Sequence, residues 1–190
     1  MKYRYLLAIP VTVAAIAVFI ATTKQPSPAQ NNSTDKISIV ASFYPLADFA
    51  QNIGGTYVNV TNITPPGAEP HEFEPTPKDL AKIYDTDLFV LNGRGVDAWS
   101  EKITPELETK NITVIKVSDY LENLKSIDHD SENEQYDPHF WLDPINAATQ
   151  ADIIANALIK IDSAHTTEYN KNRDTFKQQL LQLCESFTTY

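Results

Sequence analysis

A single cysteine, Cys184, excludes an internal disulfide in this chain of 190 residues, even in a compartment that would permit one. Basic side chains are scarce as well. The 15 Lys and Arg face 25 Asp and Glu, for a formal net charge of -10. Nucleic-acid binding wants a basic patch, so this balance excludes nucleic acid as a partner. There are only five glycines and no phosphate-binding glycine loop; Asn92-Gly93-Arg94-Gly95 resembles a turn after a strand. The chain has neither a Gly-x-Ser-x-Gly elbow nor a His-Glu-x-x-His pair, and no other catalytic constellation stands out, so it is not expected to be an enzyme. Its length fits one domain, or one domain with an appended segment.

What the N-terminus does carry is an export pattern. Lys2 and Arg4 precede a mainly apolar run from Leu6 to Ala21, and Ser27-Pro28-Ala29 offers small residues at a cleavage spacing. The run is a little short for a spanning helix, so residues 1–29 are expected to be a signal peptide, with an uncleaved membrane anchor as the alternative. The chain is therefore expected in the periplasm or another extracytoplasmic space. No cysteine lies near this segment for lipid attachment. Three of the 15 basic residues lie here, so the remainder keeps 12 against 25 acids. Residues 30–35 are polar and predict a flexible tether.

From Lys36 the pattern alternates between strand and helix. Ile37–Ser42 is a short apolar run typical of a buried strand. Leu46, Phe49, Ala50 and Ile53 follow at helical spacing and stop at Gly54-Gly55. Tyr57–Ile63 predicts a second strand, Leu88–Leu91 a third and Ile112–Val117 a fourth. Between them, Thr76 caps a helix opened by Pro77, and Asp97–Ile103 predicts a short helix. From Asn146 onward Ala147, Ala151, Ile154, Leu158 and Ile161 form one apolar stripe. After a break at 162–164, Tyr169, Phe176, Leu180 and Leu183 mark a last helix. Alternating strands and helices predict an α/β lobe with a parallel sheet flanked by helices. Ligands of such sheets gather beyond the carboxyl ends of the strands.

Two histidines sit in stiff, proline-bounded motifs. His71 lies in the run from Pro65 to Pro77, directly after the second strand, and His139 lies in Asp137-Pro138-His139-Phe140-Trp141-Leu142-Asp143-Pro144. Neutral imidazole is the commonest metal ligand, and proline fixes the backbone around it. Together they suggest a zinc or manganese site, about half complete against the four ligands of closed tetrahedral zinc. Nitrogens sharing one zinc ion would lie roughly 3–3.5 Å apart, which follows from bonds of about 2 Å. Glu69, Glu72 and Glu74 could orient the first imidazole or simply form a solvated acidic loop. Asp137 and Asp143 could support the second, although Asp143-Pro144 better suits a helix start. Phe140 and Trp141 suit core packing, compatible with shielding a site. Asp128-His129-Asp130 lies in a polar loop that either collects metal weakly or is ordinary surface. His165, at the start of the last helix, is expected only to face solvent, and Cys184 to be a buried or interfacial small side chain.

These residues carry a resemblance. Ser42-Phe43-Tyr44-Pro45, the stretch Gly67 to Pro75, Asn92-Gly93 with Asp97, the stretch Asp137 to Pro144, and Tyr169, Asn172 and Phe176 occur in the order seen in the metal-specific substrate-binding proteins of bacterial ABC transporters, the zinc and manganese cluster also filed under adhesin lipoproteins. The chain resembles that family from Lys36 to its end. The resemblance implies two α/β lobes joined by a long rigid helix, with the metal in the cleft between them. It implies that His71 and His139 are the first lobe's ligands, that residues 36–161 form this lobe, and that 162–190 begin the linker helix, with the second lobe absent. It implies a divalent cation, zinc or alternatively manganese, and an ABC permease as partner. Zinc is preferred because a histidine-bearing acidic loop precedes His139 and imidazole-rich sites suit zinc. The alternative function is a surface adhesion module that keeps the fold without transport.

Overall fold

In the computed structural model, which describes residues 36–121 and 137–188, four parallel strands form one sheet in the order β2-β1-β3-β4. They are β1 (Ile37–Ala41), β2 (Val58–Asn62), β3 (Leu88–Leu91) and β4 (Thr113–Lys116). Five α-helices accompany them: α1 (Tyr44–Gly54), α2 (Pro77–Tyr84), α3 (Thr104–Thr109), α4 (Pro144–Ile161) and α5 (Thr166–Thr188). The sequence-predicted export segment, the tether and the Asp128-His129-Asp130 loop lie outside the described residues. No helix among the described residues is long and apolar enough to cross a membrane.

The alternation of side chains along each strand splits the core in two. Ile39, Ala41, Leu88, Val90 and Ile115 point to one face, where they pack with α1, α4 and the first half of α5. Val40, Phe89 and Leu91 point to the other, against Ile83, Trp99 and Leu107. Both faces are covered, as a parallel sheet requires. The register pairs Val40 with Thr61 on one side and with Phe89 on the other, so the three strand ends line up at one rim. β1 is the point where the strand order reverses, because β2 lies to one side of it and β3 to the other. Such a switch point leaves a crevice beyond the carboxyl ends of the strands.

Local chemistry explains most element ends. Thr76 and Asp79 form a reciprocal capping box at the start of α2, with Pro77 at its first position. Asp143 caps α4 by accepting from the Ile145 N–H at 2.8 Å. Gly54 closes α1 where a Cβ would meet both Val58 methyl carbons at 2.4 Å, so only glycine lets α1 and β2 pack this closely. The expected single helix over 97–103 is instead a 3₁₀ segment, Ala98–Lys102, followed by α3. Pro105, near the start of α3, favours a new helix rather than the continuation of the old one.

His165 corrects the expectation of a purely solvent-facing side chain. Its Nδ1 lies 2.6 Å from Asp162 Oδ2, and its ring stacks on Tyr57 with centroids 3.9 Å apart. The fully buried Tyr169 donates to the same carboxylate at 2.8 Å. Burial alone would raise the Asp162 carboxyl, but the hydrogen bonds from His165 and Tyr169 outweigh it and hold the group below the usual range. Burial, with the neighbouring carboxylate, pushes the Tyr169 phenol well up. A carboxyl depressed on folding contributes stability above its unfolded value of about 3.9, and that contribution is lost as pH falls through the lower folded value. Asp162→Asn is thus expected to cost about 1–2 kcal/mol near neutral pH. In urea unfolding the gap between variant and parent should narrow in strong acid; a gap independent of pH would remove the carboxylate as its source.

Candidate metal centre

Each histidine is presented by a short turn at the carboxyl-end rim. The His71 loop leaves β2 through Ile63 and Thr64. The Ile63 N–H bonds the Ala41 carbonyl at 2.9 Å, and the Thr64 hydroxyl bonds the Ser42 carbonyl at 2.6 Å. After the prolines the chain makes one 3₁₀ turn, Pro70–Glu72, with the Glu69 carboxylate accepting from the His71 N–H at 3.4 Å. On the far side Phe73 packs edge-on against Trp99, 6.2 Å between centroids, and anchors the loop to the second core. His71 is held between a proline and an anchored aromatic ring.

His139 precedes another 3₁₀ turn, Phe140–Leu142. Phe140 is buried in the first core, and Trp141 packs edge-on against Phe43 at 4.6 Å. The core-packing expectation for both aromatic residues therefore holds. The Trp141 ring also lies 5.2 Å from the His139 ring, where it shields one side of the imidazole.

The two rims converge. His71 Nε2 and His139 Nε2 are 3.3 Å apart, although 68 positions separate them in the chain. Two nitrogens bonded to one zinc ion at about 2.0–2.1 Å in tetrahedral geometry span the same distance. Asp137 sets the chemistry of the second ring. Its Oδ1 lies 2.7 Å from His139 Nδ1 and accepts the His139 backbone N–H at 2.9 Å. In the tautomer that donates Nδ1–H to this carboxylate, the Nε2 lone pair is left free for a cation. The backbone N–H of His139, followed by its ring, holds the Asp137 carboxyl below the usual range.

The other expected supporting residues divide. Asp143 serves as the helix cap, since its carboxylate is committed to Ile145 and Asn146. Glu72 and Glu74 are exposed, and neither hydrogen-bonds an imidazole. No group of three or more His, Cys, Asp or Glu able to hold a metal occurs among the described residues. Among the described residues the imidazole pair therefore stands alone as a candidate donor set.

Two residues with a role here, Asn92 and Asp97, entered the sequence reading as part of a turn, a helix start and the family resemblance, with no role attached. Asp97 is buried and accepts the N–H groups of both Asn92, at 2.6 Å, and Gly93, at 2.8 Å. That bracket shapes the turn after β3, where Gly93 takes φ 83° and a Cβ would strike Ser118 Oγ at 2.3 Å. The fully buried Asn92 then donates its side-chain amide to the Pro138 carbonyl at 3.1 Å, one residue before His139. The turn after β3 thereby fixes the backbone of the second histidine loop. An Asn-Gly pair with an Asp five residues after the Asn was the available signal.

The sequence model of the family described as zinc-uptake complex component A, periplasmic, matches residues 39–189. The chain is 31% identical over 173 residues to the manganese-binding lipoprotein MntA of Halalkalibacterium halodurans, covering 91% of this chain and 56% of that protein. Its fold is similar to that of Zn(II)-bound AdcA from Streptococcus pneumoniae, with a TM-score of 0.72 and 29% identity over 80% of this chain and 32% of that one. It is also similar to the laminin-binding protein Lmb of Streptococcus agalactiae, described as a bifunctional protein with adhesin and metal transporting activity. That TM-score is 0.71, at 35% identity over 82% of this chain and 56% of the other. The chain spans about half the length of MntA and Lmb.

Proposed function

Because the chain belongs to the periplasmic zinc-uptake component A family, we infer that it captures a divalent cation outside the cytoplasm, zinc in the first instance, for delivery to an ABC permease in the membrane. The cation is cargo, and no bond chemistry takes place. His71 and His139 are the ligands, and Asp137 orients the second imidazole. The N-terminal segment exports the chain or anchors it.

The observation that supports this most is the 3.3 Å separation of the two Nε2 atoms, with the Asp137 carboxylate 2.7 Å from the far nitrogen of one ring. The prolines and aromatic anchors hold this geometry in place before any ion arrives, so little conformational entropy is spent on binding. Imidazole suits zinc better than the harder manganese, which remains the alternative cargo. Calorimetric titration of the full chain with zinc tests the reading. Chelator-reversible binding is expected, with zinc held more tightly than manganese; heat no different from a buffer blank at millimolar zinc would overturn it.

The likeness to Lmb supports a second reading, a surface adhesion module that retains this fold. Partner binding that survives a chelator would favour adhesion; partner binding lost with the cation would not.

A further inference from the structure

We propose that the outer edge of the sheet, β2, is an interface between two copies of this chain. β2 of one copy pairs antiparallel with β2 of the other, about a two-fold axis at Val60. The pairing does not depend on cation capture.

The strand order leaves β2 at one end of the sheet, bonded to β1 alone. Just past β2, the Ile63 N–H turns inward and bonds the Ala41 carbonyl. Backbone direction alternates along a strand, so Asn59 and Thr61 also turn their N–H and carbonyl groups to β1, while Val58, Val60 and Asn62 turn theirs outward. Among the described residues no backbone group answers the outward N–H of Val60 or Asn62, or the outward carbonyl of Val58 or Val60. Such an edge is a template for a further strand, and proteins commonly block it with lysine, proline or a bulge. β2 has none of these: it reads Val-Asn-Val-Thr-Asn and pairs with β1 residue for residue. The opposite edge, β4, does end in a lysine, Lys116. Asn59 and Thr61 are exposed, so the edge of β2 is within reach.

Charge and register select a second copy as the occupant. With a formal net charge of -10, two copies repel over most of their surfaces. No Asp, Glu, Lys or Arg occurs between Asp48 and Glu69, and β2 lies in the middle of that stretch. A like-charged copy meets least opposition there. The strand is also its own complement. With the axis at Val60, the Val60 N–H bonds the Val60 carbonyl of the second copy and the reverse bond forms by symmetry. The Asn62 N–H likewise meets the Val58 carbonyl of the second copy. On the open face Asn59 comes opposite Thr61 of the second copy, as a pair without mutual backbone bonds, where side chains approach closest. Amide and hydroxyl can bond each other at that position. On the other face Val60 meets Val60, beside the first core. Each copy presents the same patch, so the contact closes at two chains.

Sedimentation velocity of the full chain in EDTA tests the proposal, run from about 1 μM to about 1 mM to cover weak through firm association. A species of two chains that grows with concentration is expected. Asn59→Lys with Thr61→Lys sets like charges opposite one another and should weaken pairing about 10-fold or more. Asn59→Lys with Thr61→Glu sets opposite charges at the same places and should pair at least as well as the parent. All of these changes fall at exposed positions and should keep the parent's melting temperature. In the parent, the Val60 amide hydrogen should exchange more slowly at high chain concentration than at low. Single chains throughout the range, or Val60 exchange that ignores concentration, would overturn the proposal. Pairing that persists equally in both double variants would place the contact elsewhere, and pairing lost equally in both would overturn the register.

Discussion

Replacing His139 with alanine is expected to weaken zinc binding by more than about 100-fold without lowering the stability of the lobe. Loss of a carboxylate that merely supports a metal-bound imidazole costs about 10–100-fold, so loss of the imidazole itself should cost more. In the proposed site the two rings would act as a chelating pair. Once one nitrogen holds the ion, the second meets it at the effective concentration set by a rigid 3.3 Å spacing. With a single ring that advantage is gone, whichever ring is removed, so His71→Ala should show a similar loss. The side chain of His139 is half exposed, and the packing of its turn comes from Phe140 and Trp141. Calorimetric titration beside urea unfolding separates the two effects. Unaltered zinc affinity in either single variant would remove that residue from the ligand set.

The second large effect is expected far from any imidazole. Asp97→Ala leaves two buried N–H groups, those of Asn92 and Gly93, without their acceptor. Each unsatisfied buried donor costs about 1–3 kcal/mol, so a loss of roughly 2–6 kcal/mol is expected. For a domain whose whole stability is of the order of 5–15 kcal/mol, that is a large share. The same change should reach the metal centre. When the turn after β3 loosens, Asn92 no longer holds the Pro138 carbonyl, and the His139 nitrogen moves away from that of His71. Zinc affinity should fall in Asp97→Ala even under conditions where the variant is fully folded. Lower urea resistance with parental zinc affinity would show that the bracket stabilises the fold and has no hold on the loop.

The contrast between these two predictions marks what the sequence could reveal. His71 and His139 stood out because proline and aromatic neighbours are local signals, written within a few residues of each imidazole. The strands and the long helices were equally legible from their apolar periodicity. Asp143 was legible as a cap for the same reason, since capping depends on the next three residues. Asp97 and Asn92 were visible only as part of the family resemblance and their role was not legible, because their partners are backbone groups whose positions depend on where β3 ends and on a loop 46 residues away. His165 was missed likewise, since the ring that stacks on it, Tyr57, lies more than a hundred positions earlier in the chain. α3 was missed because six residues are too few to show a period. Leu183 belongs to the apolar pattern of α5, yet it is 48% exposed, since the packing of that helix ends before its sequence pattern does.

That last feature divides α5 mechanically. Its first half is fastened by the buried Tyr169, by the Asn172 amide on the Ile53 carbonyl at 3.0 Å, by Phe176 against Phe49, and by Lys177 and Arg173 on Asp152. A helix of 23 residues is about 35 Å long, and the stretch carrying Leu181, Leu183 and Phe187 projects past the last of these fastenings. The first half is clamped to the core and the second half is exposed. Amide hydrogens in the clamped half are expected to exchange with water through larger openings of the fold than those in the exposed half. A force applied toward the tip is delivered first to the last of these fastenings, Phe176 against Phe49 and Lys177 on Asp152.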